Sequence, residues 1–307
     1  MTPVTVRVPA KVNLQLSVGP RRDDGYHDLV TVFHAVSLFD EVTVRPADRT
    51  SVRVTGQDAA SVPAGRANLA ARAARALAVR LNRRGKSAVH IEIRKRIPMA
   101  AGLAGGSADA AATLVACNDL WGAGLTPAEL REVAAGLGSD VPFALLGGTA
   151  VGQGRGERLT AALATGTYHW VLAFAPGGLS TPEVYAACDR LRAARGGNGN
   201  EAALSTELMA ALRSGDPAAV GPLLSNDLQP AAVSLCPDLR RALAAGPEFG
   251  ALGAIVSGSG PTCAFLAASA GHARELAVSL TGAGVCRGAV RVRGPAAGAA
   301  VLAAEPG

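Results

Sequence analysis

The chain has 307 residues, a formal net charge of +6, 49% apolar residues and only 4% aromatic ones, so it is long enough for two domains whose cores rest on alanine, valine and leucine. Its arginines are dispersed and carry no interleaved aromatics, which argues against a nucleic-acid-binding protein and favours a mildly basic surface suited to anionic small molecules. Five scattered cysteines without a C-x-x-C spacing or adjacent histidines exclude a zinc or disulfide framework and fit reduced thiols in the cytoplasm.

The opening "MTPVTVRVPAKVN" alternates Val4, Val6 and Val8 as a strand does and lacks the charged-then-apolar leader of a signal peptide. In "PAKVNLQL" (9–16), Lys11 and Asn13 fall on one face of a strand and Val12, Leu14 and Leu16 on the other. "RRDDGYHDL" (21–29) holds an Asp24-Gly25 turn signal followed by Tyr26 and His27, an aromatic pair able to stack on a base or simply to cap a surface loop. Strands are expected at 4–8, 12–18, 41–45, 51–55 and 88–94, and a helix at 68–84.

"PMAAGLAGGS" (98–107) follows the strand at 88–94 and precedes a helix expected over 107–121, capped by Ser107 with Asp109 in its first turn. Strand, glycine-rich loop and helix in that order bring backbone N–H groups onto a phosphate, although a tight packing turn has the same composition. Gly106 is followed directly by Ser107, so no P-loop lysine is present, and Gly102, Gly105 and Gly106 do not fit a dinucleotide-binding fingerprint.

"TPAELREVAAGLG" (126–138) predicts a helix with Thr126 as N-cap and Pro127 in first position. Asp140 then lies in a short loop, "GLGSDVPF", before an expected strand over 143–151, and is either a candidate base or a turn aspartate. "GQGRGE" (152–157) reads as a hairpin turn, and "YHWVLAFAPGG" (168–178) as a buried strand. The domain boundary is placed near 155–165, giving domains 1–160 and 161–307.

Residues 182–245 read as helical, with "ARGGNGNEAA" (194–203) as a linker. Residues 249–271 carry no formal charge and are long enough to span a bilayer, but the central "SGSGPT" (257–262) would break a membrane helix. Two buried strands, 252–258 and 262–268, around that turn are expected instead, followed by a helix at 272–284 and a strand at 288–294. This pattern suggests an α+β sandwich, and its glycine-rich turn is a second place where backbone can approach a ligand.

Taken together, "PAKVNLQL", "RRDDGYHDL", "KRIPMAAGLAGGSADAA", "LGSDVPF", "GGTAVGQGRGE", "PGGLSTPEVY" and "SGSGPT" resemble the motifs of the GHMP kinase superfamily over nearly the whole chain. The resemblance implies an α+β, two-domain GHMP kinase fold. Its N-terminal ATP-binding domain would be ribosomal-protein-S5-domain-2-like, and its C-terminal domain a ferredoxin-like α/β sandwich. It assigns Pro98, Met99, Ala100, Ala101, Gly102, Leu103, Ala104, Gly105, Gly106 and Ser107 to the ATP phosphates, and Asn68 and Lys95 to the adenine side. Asp140 matches the base that takes the proton of the attacking substrate hydroxyl, Lys11 the lysine that stabilises that oxygen, and Asn13 a substrate contact.

Tyr26, His27 and Tyr185 match a cytosine pocket, while Gly258 and Thr262 belong to the motif closing the cleft. The implied partners are ATP with Mg²⁺, near which Ser107 is the candidate protein neighbour, and a cytidyl diphosphate sugar alcohol. Neither nucleic acid nor membrane is implied, and the expected state is a cytoplasmic monomer or homodimer. Two departures stand out: Ala100 and Ala101 occupy positions that are often glycine, and Tyr185 one that is often phenylalanine. A homoserine- or mevalonate-type kinase, which would lack the pyrimidine box at 24–27, and a nucleotide-binding regulator without catalysis are the competing readings.

Overall fold

Alternating valines and a tight Asp24-Gly25 turn, with Gly25 at φ 84°, set up the longest pairing in the molecule. In the computed structural model, which describes residues 2–63, 65–83, 87–197 and 199–303, β1 (Val4–Arg21) and β2 (His27–Pro46) run antiparallel along almost their full length. The expected break between strands 4–8 and 12–18 is absent. The ladder passes Pro9 and Ala10 through a register shift, so the proline bends the strand without ending it.

The chain continues through β3 (Ser51–Gly56), α1 (Leu69–Arg80), β4 (Val89–Lys95), α2 (Gly105–Leu120), α3 (Pro127–Ala135), α4 (Val141–Leu146), β5 (Thr149–Gly154) and β6 (Arg158–Ala161). It then forms β7 (Tyr168–Phe174), α5 (Thr181–Ala194), α6 (Thr206–Ser214), α7 (Pro217–Val220), β8 (Ser225–Asn226), α8 (Gln229–Leu235) and α9 (Asp238–Glu248). It closes with β9 (Gly253–Val256), β10 (Thr262–Ala267), α10 (Ala270–Gly282), β11 (Gly288–Gly294) and β12 (Ala300–Val301).

The first sheet runs β12-β1-β2-β4-β3, with β5 also on β2, β6 on β5 and β8 on β1, and the second runs β11-β7-β10-β9. Alternation in β7 and β10 divides the cores. Trp170, Leu172, Ala264 and Leu266 join the large cluster that contains β1, α1 and α2, while Val171, Ala173, Cys263 and Phe265 pack under α5, α8, α9 and α10. No helix among the described residues is long and apolar enough to cross a membrane.

Three local expectations are corrected. Helix α2 begins at Gly105, not Ser107: Ala104 takes the left-handed conformation (φ 59°) and turns the chain into the helix two residues early, so Ser107 lies within the first turn. The expected strand over 143–151 is helical through Leu146, because Pro142 starts a helix behind Asp140 and Gly147 and Gly148, at φ 66° and 67°, stop it before β5. Asp140 therefore sits between two helices. The helix expected to 84 ends at Arg80, while Arg84 and, in the 194–203 linker, Asn198 lie outside the described residues.

Candidate active site

Strand geometry puts Lys11 and Asn13 on one face of β1, at the floor of a cleft of about 710 Å³ that both sheets and their loops enclose. Lys11 is 6% exposed, and its Nζ donates to Asn13 Oδ1 at 2.6 Å. Asn13 Nδ2 donates to Thr31 Oγ1 at 2.8 Å, and that hydroxyl donates to the Gln15 carbonyl at 2.7 Å. This relay fixes the Asn13 amide with its oxygen toward the lysine. Burial pushes the Lys11 ammonium below the usual lysine range, and the Asp140 carboxylate opposes that fall. Asp140 lines the same cleft from the start of α4, and its side chain makes no capping bond to the helix.

The loop between β4 and α2 alternates left-handed positions at Ala100 (φ 49°), Gly102 (φ 74°) and Ala104 (φ 59°), a pattern that curls successive backbone amides toward one side. The first intrahelical bond of α2 runs from the Ala108 N–H to the Ala104 carbonyl, leaving the Gly105, Gly106 and Ser107 amides without a helix partner at the cleft. Opposite lies the turn after β9. Ser257 Oγ donates to the Gly102 carbonyl at 3.1 Å, and a side chain on Gly102 would collide with the Ser257 carbonyl. At Gly258 an added Cβ would come within 2.9 Å of Lys11 Nζ, so the absent side chain lets this turn close over the lysine.

The third wall is aromatic. Tyr26 is 55% exposed beneath the Arg155 guanidinium, which lies 5.4 Å from its ring centre. His27 is buried with Nε2 at 2.9 Å from Asp189 Oδ1, and its ring centre is 5.2 Å from that of Tyr185. Burial pushes the Tyr185 phenol up. Arg21, Arg155, Asp189 and Ser259 also line the cleft, and sequence reasoning missed all four. Asp189 had a signal, since it stands one helical turn beyond Tyr185 on α5. Arg155 had none, because only the pairing of Leu29 with Gly154 brings its turn beside Tyr26.

Four expected site residues do not line this cleft. Leu103 is in the core, and only its carbonyl serves the site, accepting from the Lys11 N–H at 3.3 Å. Thr262 is buried in β10. Asn68 caps α1, accepting from the Ala70 N–H at 2.8 Å and donating to the Pro63 carbonyl at 2.9 Å. Lys95 is enclosed between the Asp40 and Asp109 carboxylates, so its ammonium is occupied by ion pairing beneath the loop. All the other expected residues line the one cavity.

Comparison with known proteins matches "GHMP kinases N terminal domain" to residues 68–148 and "GHMP kinases C terminal" to residues 208–286. A relative from Mycolicibacterium smegmatis, 4-diphosphocytidyl-2-C-methyl-D-erythritol kinase, is 60% identical over 301 residues, covering 98% of this chain and 93% of its own. One of the same name from Thermobifida fusca is 55% identical over 98% of this chain and 99% of its own. A crystal structure of 4-(cytidine 5'-diphospho)-2C-methyl-D-erythritol kinase superposes with TM-score 0.75 at 36% identity, covering 94% of this chain and 98% of that one. Homoserine kinase from Cytophaga hutchinsonii superposes with TM-score 0.73 at 20% identity over 98% of each chain, a likeness of fold alone.

Proposed function

The chain belongs to the GHMP kinases, and from that premise we infer that it transfers the γ-phosphate of ATP to the 2-hydroxyl of 4-diphosphocytidyl-2-C-methyl-D-erythritol. The products are the 2-phosphate and ADP, a step of the methylerythritol route to isoprenoid precursors. The observation that carries the reading is the convergence of a phosphate loop, a lysine–carboxylate pair and an aromatic pocket in one cleft.

Catalysis of this kind is positioning and charge stabilisation. The Asp140 carboxylate takes the proton of the substrate hydroxyl as its oxygen bonds to the γ-phosphorus and the bond to the bridging oxygen of ADP breaks. Lys11, aimed by Asn13, donates to the reacting oxygen, and its buried position makes that charge count for more than it would in water. The amides of the loop and of the first turn of α2 hold the triphosphate. Tyr26 and Tyr185 flank the cytosine, and His27, held by Asp189, meets its polar edge.

Among the described residues no group of three or more acids, histidines or cysteines could hold a metal, while the cleft offers the Ser107 hydroxyl and the Asp140 carboxylate. A single protein oxygen beside phosphates and waters suits Mg²⁺, so Ser107 would hold it while Asp140 stays free as the base. When bound, it neutralises phosphate charge. A division at 160/161 puts Lys11, the loop and Asp140 in the first domain and Tyr185 and Gly258 in the second. One chain thus supplies the whole cleft, and the working unit is a cytoplasmic single chain, whether or not two associate.

The test is ADP release from Mg-ATP with the cytidyl substrate, run beside homoserine and mevalonate. Turnover confined to the cytidyl substrate, with kcat reduced at least 10²-fold in Asp140→Ala while ATP still binds, is the expected result. Turnover on another alcohol, or an unimpaired Asp140→Ala variant, overturns the assignment.

A further inference from the structure

The loop that faces the phosphates is short, carries two non-glycine residues in the left-handed region and has no cation of its own, so something must hold its ends. Both ends lead to one buried cluster. Asp40, at the end of the half of β2 that pairs with β1 and β4, accepts from the Arg96 N–H at 2.6 Å and the Ile97 N–H at 2.9 Å, the two amides immediately before Pro98. Its other oxygen meets Lys95 Nζ. The same Nζ reaches Asp109 Oδ2, in the second turn of α2, at 2.9 Å. The loop therefore leaves from Asp40 and returns to Asp109, with one ammonium between them.

The side chains of Lys95 and Asp40 are fully enclosed, and that of Asp109 is 4% exposed. Neighbouring glycines make room for them. An added Cβ on Gly105 would lie 3.1 Å from Lys95 Nζ, and one on Gly56 would collide with the Lys95 carbonyl. Burial pushes the Asp109 carboxyl up, the Lys95 ammonium opposes that rise and the Asp40 charge adds to it, as expected where two acids share one cation.

We propose that Lys95, Asp40 and Asp109 are positioning residues that clamp the two ends of the phosphate loop, and that Lys95 governs ATP binding through this clamp without touching the nucleotide. The proposal rests on the ATP-loop reading above. It separates two roles for Lys95 that a lysine substitution alone would confuse, since Asp109 does not line the cleft.

The decisive variant is Asp109→Ala, with Asp109→Asn as the conservative rescue. Amide hydrogen exchange of residues 99–107 is measured without nucleotide, and KM is measured for ATP and for the cytidyl substrate separately. The clamp predicts at least tenfold faster exchange in the loop and about a tenfold rise in KM for ATP in Asp109→Ala. KM for the cytidyl substrate should stay within twofold, and Asp109→Asn should recover most of both effects. If the alanine variant melts below the assay temperature, Asp109→Ser, too short to reach Lys95, replaces it with the same expectations. Unchanged loop exchange, or equal rises in both KM values, overturns the proposal. Wild-type protein that fails to turn over the cytidyl substrate overturns the kinase reading instead, while the exchange result still judges the clamp.

Discussion

His34 is fully buried on β2, with Nδ1 at 2.9 Å from Thr149 Oγ1 and, among the described residues, no hydrogen-bond partner for Nε2. Burial pushes its imidazole down to about 3, so the folded protein keeps it neutral where the unfolded chain would protonate it. The stability it contributes is complete above about pH 6.5 and is lost as pH falls toward the folded value, at up to about 1.4 kcal/mol per pH unit. Thermal melts between pH 6.5 and 5 should show a shallower pH slope for His34→Asn than for wild type, and equal slopes would refute this. Nothing in the sequence marks His34, because the apolar ceiling of Tyr168 and Trp170 that buries it comes from the other sheet. Lys11 and Asn13, by contrast, were legible from a two-residue spacing on a strand, but the alternation failed at Leu16, which a register shift between Asn13 and Gln15 turns into the same cleft. For Lys95 the motif position was legible and the partner was not, since Asp40 is 55 residues away and only the β2–β4 ladder makes them neighbours.

At the level of elements, local signals worked where they were self-contained. Thr126 caps α3 with Pro127 behind it, as its sequence announced, the structure adding a reciprocal capping box with Glu129, and β11 spans the expected 288–294. They failed at "FALLGGTAV", an apolar run too short for its period to separate strand from helix. The turn after β9 was legible as glycine-rich, but the reason for Gly258 lies in Lys11, whereas Gly260 faces Val256 and Leu179. Gly258→Ala must place a methyl group beside the ammonium and hold a left-handed alanine at a cost of roughly 1–2 kcal/mol. The lysine moves off Asn13, and kcat should fall at least tenfold while the protein remains folded by circular dichroism. Wild-type kcat in that variant would contradict the packing argument.

Across the whole molecule, the order of elements was readable and the return of the C-terminal segment was not. After β11, the Ala296 N–H donates to the Ala35 carbonyl and the Ala299 N–H to the Ala144 carbonyl, both at 2.9 Å, and the Leu302 N–H donates to the Thr5 carbonyl at 2.8 Å. The segment thus braces α4, which carries Asp140 at its start, against β1 and β2. Residues this poor in large side chains send no hydrophobic signal, so their role appears only as backbone hydrogen bonds. Removing residues 296–303 should lower Tm by roughly 5–10 °C and reduce kcat more than it raises KM for either substrate. An unchanged melting curve would show the brace to be dispensable.

The same return has a consequence for synthesis. The outer edge of β1 is covered by β8 at Gln15 and Leu16 and by β12 at Val6 and Arg7, both short strands drawn from the far half of the chain. While the polypeptide is still emerging from the ribosome, that edge is a long valine-rich strand with free backbone donors and acceptors, open to pairing with a neighbouring nascent chain. The covering strand β12 is available only after residue 301 has been translated, so until then each nascent chain presents Val6 and Arg7 unpaired on that edge, and slow synthesis of the stretch before β12 should favour association between neighbouring nascent chains.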